Sequence, residues 1–598
     1  MNVVSAECPG HARAGDDRGF PSQSNSKSTA MIGKLRQLVG DATLRRWLLA
    51  RAFGRVAPVP GFVPHRPLYL SDVILPVAPG AAETPLGEFS SPAPEAPIVL
   101  PLAGALVKIV PDNPGAIFAR EFTNMESLLA LHRFAWIPVL GSSADPAWVA
   151  ALWRAWRARF AAPDDSWAWH PYTAAERAIN ILRFARRHGL PAPIRDTRDV
   201  LAAHAPAIAA RLEYYGEHNT GNHLANNGRG LLALGLDLGL RDYADLGARI
   251  LIEEGARIFR PSGILREGSS HYHLLLARNY ADAWAWTRRH RHPSAAQLES
   301  ILRRALAPMP HLHLPGGMPL IGDISPDCPP GHLAPFLPGG NLDQGWGALL
   351  DEDQREAFLA LRDSVSPCTV ETFAADGWLR ADFGDWSGLW HLAPGGFAPM
   401  PGHGHQDTGS FELHWQGVPL FVDLGRGAYG DDGEAALYRS ALVHNGIALD
   451  DADPYPPNKP YYDDAFRRRE GGPPPILARE ADGVTISFGG YGRLGAPFAG
   501  RRWRFGAAVF SLEDRIEGRG RRRVVRRLHT PWPTSVVDDH AVVRTPAGDF
   551  RAHAEGFAPA LNPVTRWTAY GEGTSATAIV FERDEALPWH GVLRVEKI

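Results

Sequence analysis

The sequence predicts an all-α domain followed by an all-β domain. Between residues 124 and 307, eight helix-length segments have apolar residues spaced i, i+3, i+4 and i+7. From Trp378 onward the pattern changes to short alternating runs separated by glycine turns, which is typical of an antiparallel sandwich. Helices that precede all the strands indicate two domains rather than one mixed sheet.

Composition narrows the class of protein. At 598 residues the chain is too long for one core, and 45% hydrophobic with 21% charged residues is typical of globular proteins. A net charge of −3 gives no basic field for nucleic acid. Three cysteines without a Cys-x-x-Cys motif exclude a disulfide framework and a zinc ribbon. The sequence contains no run of 18 apolar residues, so we expect no transmembrane helix. The oligomeric state stays open.

The N-terminal part divides into two predicted segments. Residues 1–30 are polar and have no apolar core of a signal peptide, so we expect a disordered leader, with Met31 as an alternative start. That pattern favours the cytoplasm, or the periplasm and cell envelope if another route exports the chain. Residues 31–120 predict a basic helix over 32–54 and then an irregular segment rich in proline and glycine.

The helical domain is predicted at 121–370 and the β domain at 371–598. Short breaks between successive helices make them antiparallel neighbours, which favours a toroid or a solenoid over a four-helix bundle. No fixed sequence period is visible, and this argues against a regular repeat array.

Three polar clusters in the helical half are candidates for chemistry. On a helix, Asn222, Asn226 and Arg229 share one face beside His223, either as a polar wall of a groove or as capping residues. Glu267 precedes Ser269 and Ser270, which can cap a helix whose first turn holds Tyr272; that tyrosine is functional or simply a core residue. The third cluster suits sugar stacking and carboxylate pairing, or ordinary helix packing: Trp169, Tyr172 and Arg177.

A hairpin in the β half is the fourth candidate. A two-residue turn at Gln416-Gly417 would pair Trp415 with Val418 and continue in register to Ser410 opposite Asp423. Asp423 would then lie near the strand end where His403 and His405 enter. Histidine and carboxylate side chains at one strand end favour a metal or acid/base site.

Taken in order, these motifs resemble the heparinase II/III family of bacterial polysaccharide lyases, which includes alginate and oligoalginate lyases. The similarity extends from about Phe122 to at least Ala452 and is strongest in three stretches: 221–229, 267–273, and 402–425 with Val443-His444-Asn445. The resemblance implies an incomplete (α/α) toroid followed by a β-sandwich, with the active site between them.

The resemblance also implies roles for residues. Asn222 would bind and neutralise the uronate carboxylate. Tyr272 would protonate the leaving oxygen and, in some members, also act as the base. His223 and His403 would assist as base or as carboxylate neutraliser. His405, Asp423 and His444 match positions that hold a structural Zn²⁺ in some members. Trp169, Tyr172, Arg177, Asn226, Arg229 and Glu267 are taken as candidates for substrate binding.

The expected activity is therefore β-elimination on an acidic, uronate-containing polysaccharide, in bacterial capsule or exopolysaccharide metabolism. The residue types suit it, since elimination requires a base, an acid and a group that neutralises the carboxylate, but no nucleophile. A non-catalytic carbohydrate-binding or assembly protein on the same fold is the alternative. A hydrolase ranks lower, because Glu176, Glu267, Asp323 and Asp407 form no pair close in sequence.

Overall fold

The computed structural model describes residues 38–56, 62–74 and 84–598. The predicted leader at 1–30 lies outside these ranges, as does the beginning of the basic helix expected over 32–54. The described helix there spans Ala42–Ala52, and the Asp41 side chain caps it by accepting from the Leu44 N–H. Its Trp47 packs against Tyr462 and Phe466 of the β half. The N-terminal helix is therefore attached to the distant β domain.

All eight predicted helical segments are helical. The segment predicted at 124–140 is divided in two, because Phe134 adopts a left-handed conformation (φ 53°) that ends the first helix. A β-hairpin of Ile98–Leu102 and Ala105–Ile109 precedes them. The α-helices between this hairpin and the β half are Met125–Arg133, Trp136–Leu140, Pro146–Phe160, Pro171–His188, Ile194–Ala209, Asn222–Asp237, Arg241–Ile258, Ser270–Arg289, Ala295–Leu306, Met309–Leu312, Pro330–Leu333, Glu352–Asp363 and Val370–Ala375. Two short helices, Gly433–Leu437 and Asp464–Gly471, lie within the β half.

Neighbouring helices pack in the order expected for an α/α toroid. Helix Asn222–Asp237 contacts Pro171–His188, Arg241–Ile258 and Ser270–Arg289. Gly235 allows helix Asn222–Asp237 to approach helix Arg241–Ile258 closely, because a Cβ on Gly235 would lie 2.3 Å from the backbone nitrogen of Ala244. This close contact fixes the helix whose first turn carries two of the candidate residues. In the described ranges, no helix is both long and apolar enough to cross a bilayer.

The β half consists of three antiparallel sheets. Strands Trp378–Phe383, Trp386–His391, Ser410–Trp415 and Val418–Phe421 form one sheet in that order. A second sheet has the order Pro559–Ala569, Glu572–Ala586, Arg521–Thr530, Ile447–Leu449. The largest sheet has the order Ile476–Arg479, Gly483–Phe488, Phe498–Phe505, Val509–Glu517, Trp589–Lys597, Gly548–Ala554, His540–Thr545, Thr534–Val537. Their apolar faces enclose one core around Trp386, Trp390 and Trp503.

The register of the central hairpin is predicted only in part. Gln416 and Gly417 both have positive φ (48° and 82°), and Trp415 pairs with Val418 as expected. A bulge then shifts the pairing between Leu413 and His414, so Leu413 faces Phe421. The predicted pairing of Ser410 with Asp423 is therefore wrong, because the strand Val418–Phe421 ends before Asp423.

Candidate active site between the domains

Three of the four candidate catalytic residues are in direct contact. Tyr272 lies in the first turn of its helix, where the Ser269 side chain accepts from its backbone N–H. The rings of Tyr272 and His403 stack with centroids 3.4 Å apart and planes inclined by 10°. Asn222 Nδ2 lies 3.3 Å from His403 Nε2, although the two residues are 181 positions apart. The helical domain and the β domain thus each supply part of one cluster.

Glu267 orients the amide of Asn222. Asn222 Nδ2 donates to Glu267 Oε2 at 2.8 Å, and the Glu267 side chain is buried. A buried carboxylate that accepts this bond fixes the direction of the amide group. Glu267, predicted to bind substrate, therefore lies behind Asn222 and holds it, rather than facing the cleft itself.

A second tyrosine accompanies Tyr272. The Tyr272 and Tyr429 hydroxyls are 2.5 Å apart. Burial, and then the nearby Asp327 carboxylate, raise the pKa of Tyr272 well above its usual value. Burial and Tyr272 raise the pKa of Tyr429 in the same direction. Both hydroxyls therefore keep their protons at neutral pH. Sequence reasoning missed Tyr429, which follows the conspicuous hairpin in an irregular segment with no pattern of its own.

His223 is paired with a carboxylate. Its Nδ1 lies 2.7 Å from Glu213 Oε1, and Glu213 also accepts from Asn227 Nδ2 at 3.0 Å. Burial lowers the pKa of His223, but the Glu213 charge and hydrogen bond outweigh burial and raise that pKa. Burial raises the pKa of Glu213, but the charges of His223 and His170 outweigh burial and lower that pKa to about 2. The pairing with Glu213 therefore favours the imidazolium form of His223, whose side chain is 48% exposed.

Asp323 fixes the orientation of His403. Its Oδ2 lies 3.0 Å from His403 Nδ1, while its Oδ1 lies 2.9 Å from both His405 Nε2 and Arg426 Nη1. A carboxylate at Nδ1 assigns the proton to that nitrogen and leaves Nε2 unprotonated, where it accepts from the Asn222 amide. Asp323 also accepts with its backbone oxygen from Ser269 Oγ at 2.7 Å. It therefore connects the helix of Tyr272 to the loop of His403.

Four of the predicted substrate-binding residues lie in the interior. Trp169, Arg177, Asn226 and Arg229 are each 0% exposed. Arg177 Nε donates to His204 Nε2 at 2.9 Å, and its guanidinium stacks 4.0 Å from the Trp156 ring. The prediction that these four contact sugar is corrected, because no part of their surface reaches the cleft.

Arg229 belongs to a buried ion network. It donates to Glu176 at 2.6 Å and to Asp282 at 2.5 Å, and Asn226 Oδ1 accepts from it at 3.2 Å. Asn222, Asn226 and Arg229 were predicted to share one helix face. Asn222 lies beside His403, whereas Asn226 and Arg229 belong to the ion network between the helices. Unpaired buried charge is costly, so each ion here needs its partner.

Tyr172 lies at the edge of the site. Its ring centroid is 4.7 Å from that of His223, and its hydroxyl donates to Asp327 Oδ2 at 2.5 Å. Arg133 binds the other oxygen of Asp327 at 2.6 Å. The side chain of Tyr172 is mostly buried, so it supports His223 and offers little surface of its own.

The predicted metal ligands lie near one another in the β domain. The rings of His405 and His444 are 5.3 Å apart, and Asp423 Oδ2 is 2.8 Å from His444 Nδ1. His405 Nδ1 and His444 Nε2 are buried without a hydrogen-bond partner. Two imidazoles and a carboxylate suit zinc in their donor chemistry. Among the residues that the structure describes, no three such side chains are already gathered around one point.

Comparisons with known proteins agree with this architecture. Residues 369–587 match the family model described as heparinase II/III-like, C-terminal. Heparinase III superposes with a TM-score of 0.56 at 14% identity, covering 80% of this chain and 78% of that one. The BT4657 gene product, also a heparinase III, gives 0.52 at 16%, covering 80% and 78%. A mutant of heparan sulfate lyase HepC from Pedobacter heparinus gives 0.50 at 15%, covering 80% and 77%.

No curated protein sequence matches the chain significantly. The likeness to solved structures is one of fold, and it spans both halves of the molecule. The family model independently covers the half that supplies His403 and Tyr429. Residues 369–587 therefore match the heparinase II/III-like C-terminal family model, and the chain as a whole shares the toroid-then-sandwich fold of heparinase III.

Proposed function

We propose that this protein is a polysaccharide lyase that cleaves a uronic-acid-containing glycan by β-elimination. The observation that carries the proposal is the stacked pair of Tyr272 and His403 with the Asn222 amide beside it, at the meeting of the two domains. An acid, an oriented imidazole and an amide donor within contact distance are the groups that this reaction needs. The fold and the family match of the β domain agree with this chemistry.

The electrostatics divide the roles. Asn222 and the His223 imidazolium face the uronate carboxylate, which lowers the energy of the enolate-like intermediate. His403, with its Nδ1 proton on Asp323, offers Nε2 as the base that removes the C5 proton. Tyr272, which keeps its proton, donates it to O4 as the C4–O4 bond breaks. Tyr429 donates to the tyrosinate that remains and stabilises it.

The substrate in this proposal is an acidic polysaccharide, and its physiological setting is the capsule or exopolysaccharide of a bacterium. Proteins with a similar fold include heparinases and a heparan sulfate lyase, which makes glycosaminoglycans the first choice of substrate. Alginate belongs in the same panel, because the motifs also resemble alginate lyases.

The experiment is an ultraviolet assay for the C4–C5 double bond, with heparosan, heparan sulfate, hyaluronan, alginate and polymannuronate. We expect absorbance to rise with at least one polymer, and Tyr272→Phe to reduce the rate about 100-fold or more, because it removes a general acid. Circular dichroism checks that the variant folds. Reducing ends without absorbance would indicate hydrolysis, and binding without either signal would indicate a carbohydrate-binding protein. Unchanged turnover in Tyr272→Phe would remove the role of that residue.

We also propose that His405, Asp423 and His444 hold a structural zinc ion. When bound, zinc would supply no step of the elimination; it would join the loop that carries His403 to the segments that follow the hairpin. The two buried imidazole nitrogens without partners support this proposal.

Elemental analysis tests the zinc proposal. We expect about one zinc per chain in the parent protein and a large loss of zinc in His405→Ala. His553→Ala, on a partly exposed strand of the largest sheet, is the control and should retain the metal. Equal zinc in parent and His405→Ala, or none in either, would exclude the site.

A further inference from the structure

A long β-hairpin of the β domain reaches across to the helical domain beside the proposed site. Its strands are Pro559–Ala569 and Glu572–Ala586, and its tip is Tyr570-Gly571. A Cβ placed on Gly571 would lie 2.5 Å from the Cα of Gly104, so the two backbones are in contact. Tyr570 OH lies 3.5 Å from Asn124 Oδ1. The tip therefore joins the two domains at one side of the cleft.

The same tip is packed against the reacting cluster. The ring centroids of Tyr570 and Tyr429 are 5.3 Å apart, and the Tyr429 N–H donates to Tyr570 OH at 3.3 Å. The Gly571 N–H donates to Gly427 O at 2.7 Å, which ties the tip to the segment of Tyr429. Tyr429 in turn bonds the hydroxyl of Tyr272. A continuous wall therefore runs from the proposed acid to the helical domain.

The opposite side of the cluster is open. The side chain of His223 is 48% exposed, whereas Tyr570 is 7% and Tyr272 is 6% exposed. The Tyr570–Asn124 contact thus lies on the buried, Tyr272 side of the cluster, and the exposed surface lies on the side of His223. This asymmetry favours a polymer chain that continues from the site on the side of His223.

The chemistry identifies which end of the chain meets the wall. In β-elimination, His403 takes the C5 proton, the C4–C5 double bond forms, the C4–O4 bond breaks, and O4 receives the proton of Tyr272. The sugar attached through O4 lies toward the non-reducing end, so that sugar lies on the Tyr429 and Tyr570 side. From this geometry we infer that the enzyme is exolytic and shortens its substrate from the non-reducing end, with the tip Tyr570-Gly571 as the determinant. This inference rests on the proposed lyase function.

The test uses the full chain and a uronate polymer that carries a fluorescent label at its reducing end. Absorbance reports elimination, and size-exclusion chromatography of early samples reports the length of labelled chains. We expect small unsaturated products to accumulate while the label stays on chains close to the starting length. Labelled chains of intermediate length at the start would show endolytic cleavage, and immediate release of label in small products would show action from the other end. Either result would overturn the inference while leaving the lyase function intact.

Absence of absorbance with every polymer would overturn the lyase function and this inference with it. Two variants then test the determinant. Tyr570→Ala removes the wall and should produce intermediate labelled lengths at least several-fold more abundant than in the parent. Tyr570→Phe retains the ring and should keep the parental pattern. An unchanged pattern in an active Tyr570→Ala enzyme would exclude the tip as the determinant, and Asp539→Ala, in an exposed turn of the largest sheet, controls for general damage.

Discussion

Identical residue types have different functions in this protein because their surroundings differ. Tyr272 and Tyr172 are both buried tyrosines with raised pKa, yet Tyr272 stacks on His403 whereas Tyr172 donates to a carboxylate held by Arg133. Asn222 lies at the cleft, while Asn226, one helical turn later, contacts an interior arginine. The partners of each side chain, rather than its residue type, therefore distinguish the candidate reacting groups from residues that stabilise the toroid.

The charge of His223 gives a prediction about pH. Glu213 raises the pKa of His223, so the imidazolium persists above its ordinary range and is lost as pH rises through the raised pKa. In Glu213→Gln this pKa falls, and the alkaline limb of the kcat/KM profile should move to lower pH. Arg133, which opposes the charge, and Glu267, which favours it, are unchanged in this variant.

Glu217→Gln is the matched control for this prediction, because Glu217 is an exposed neighbour of the same segment. Its kcat/KM profile should superpose on that of the parent protein. If the alkaline limb of Glu213→Gln stayed in place, His223 would not be the group that neutralises the substrate carboxylate.

At the scale of elements, the helices were predictable because their apolar spacing and breaks are local. The hairpin turn was predictable for the same reason, since Gln416-Gly417 requires positive φ. The bulge between Leu413 and His414 has no such local pattern; beside it, Glu412 Oε2 accepts from the Asp423 backbone N–H at 3.0 Å across the hairpin. Period-two alternation predicts which residues form a strand, but it does not predict side-chain hydrogen bonds between strands or the bulges beside them.

Helix Asn222–Asp237 gives a prediction about stability. A methyl group on Gly235 would lie 2.3 Å from the nitrogen of Ala244, so Gly235→Ala must separate this helix from Arg241–Ile258. Overpacking of this kind costs about 1–3 kcal/mol. We expect a lower Tm by calorimetry. Gly331→Ala, whose added methyl has no atom within 4 Å, should leave Tm nearly unchanged. Equal Tm values for the two variants would contradict the close packing.

At the scale of the whole molecule, the site exists only where the domains meet. Asp323 lies 80 residues from His403, and sequence reasoning recorded it only as a carboxylate without a local partner. No spacing rule links an irregular segment of one domain to a loop of another. The resemblance of motifs nominates Asn222, Tyr272 and His403 as reacting residues, and the fold brings these three into contact; Asp323, Glu213 and Tyr429 were recognised only from the fold.

Gly268 provides the means to test whether domain docking controls the chemistry. It has φ +75°, and a Cβ there would lie 3.1 Å from Gly404 Cα and 3.2 Å from Pro399 Cγ. Gly268→Ala should therefore displace the loop of His403 relative to Tyr272, two features that now stack at 3.4 Å. We expect kcat to fall at least 10-fold, since small misplacements of reacting groups cost about that much or more. The left-handed backbone adds a stability cost of about 1–2 kcal/mol.

Gly339→Ala is the control, because Gly339 has φ +69° and an added Cβ would meet no atom within 4 Å. Both variants should lose similar stability in urea unfolding, and only Gly268→Ala should lose turnover. If the two variants lost equal fractions of activity, backbone strain rather than domain docking would account for the effect.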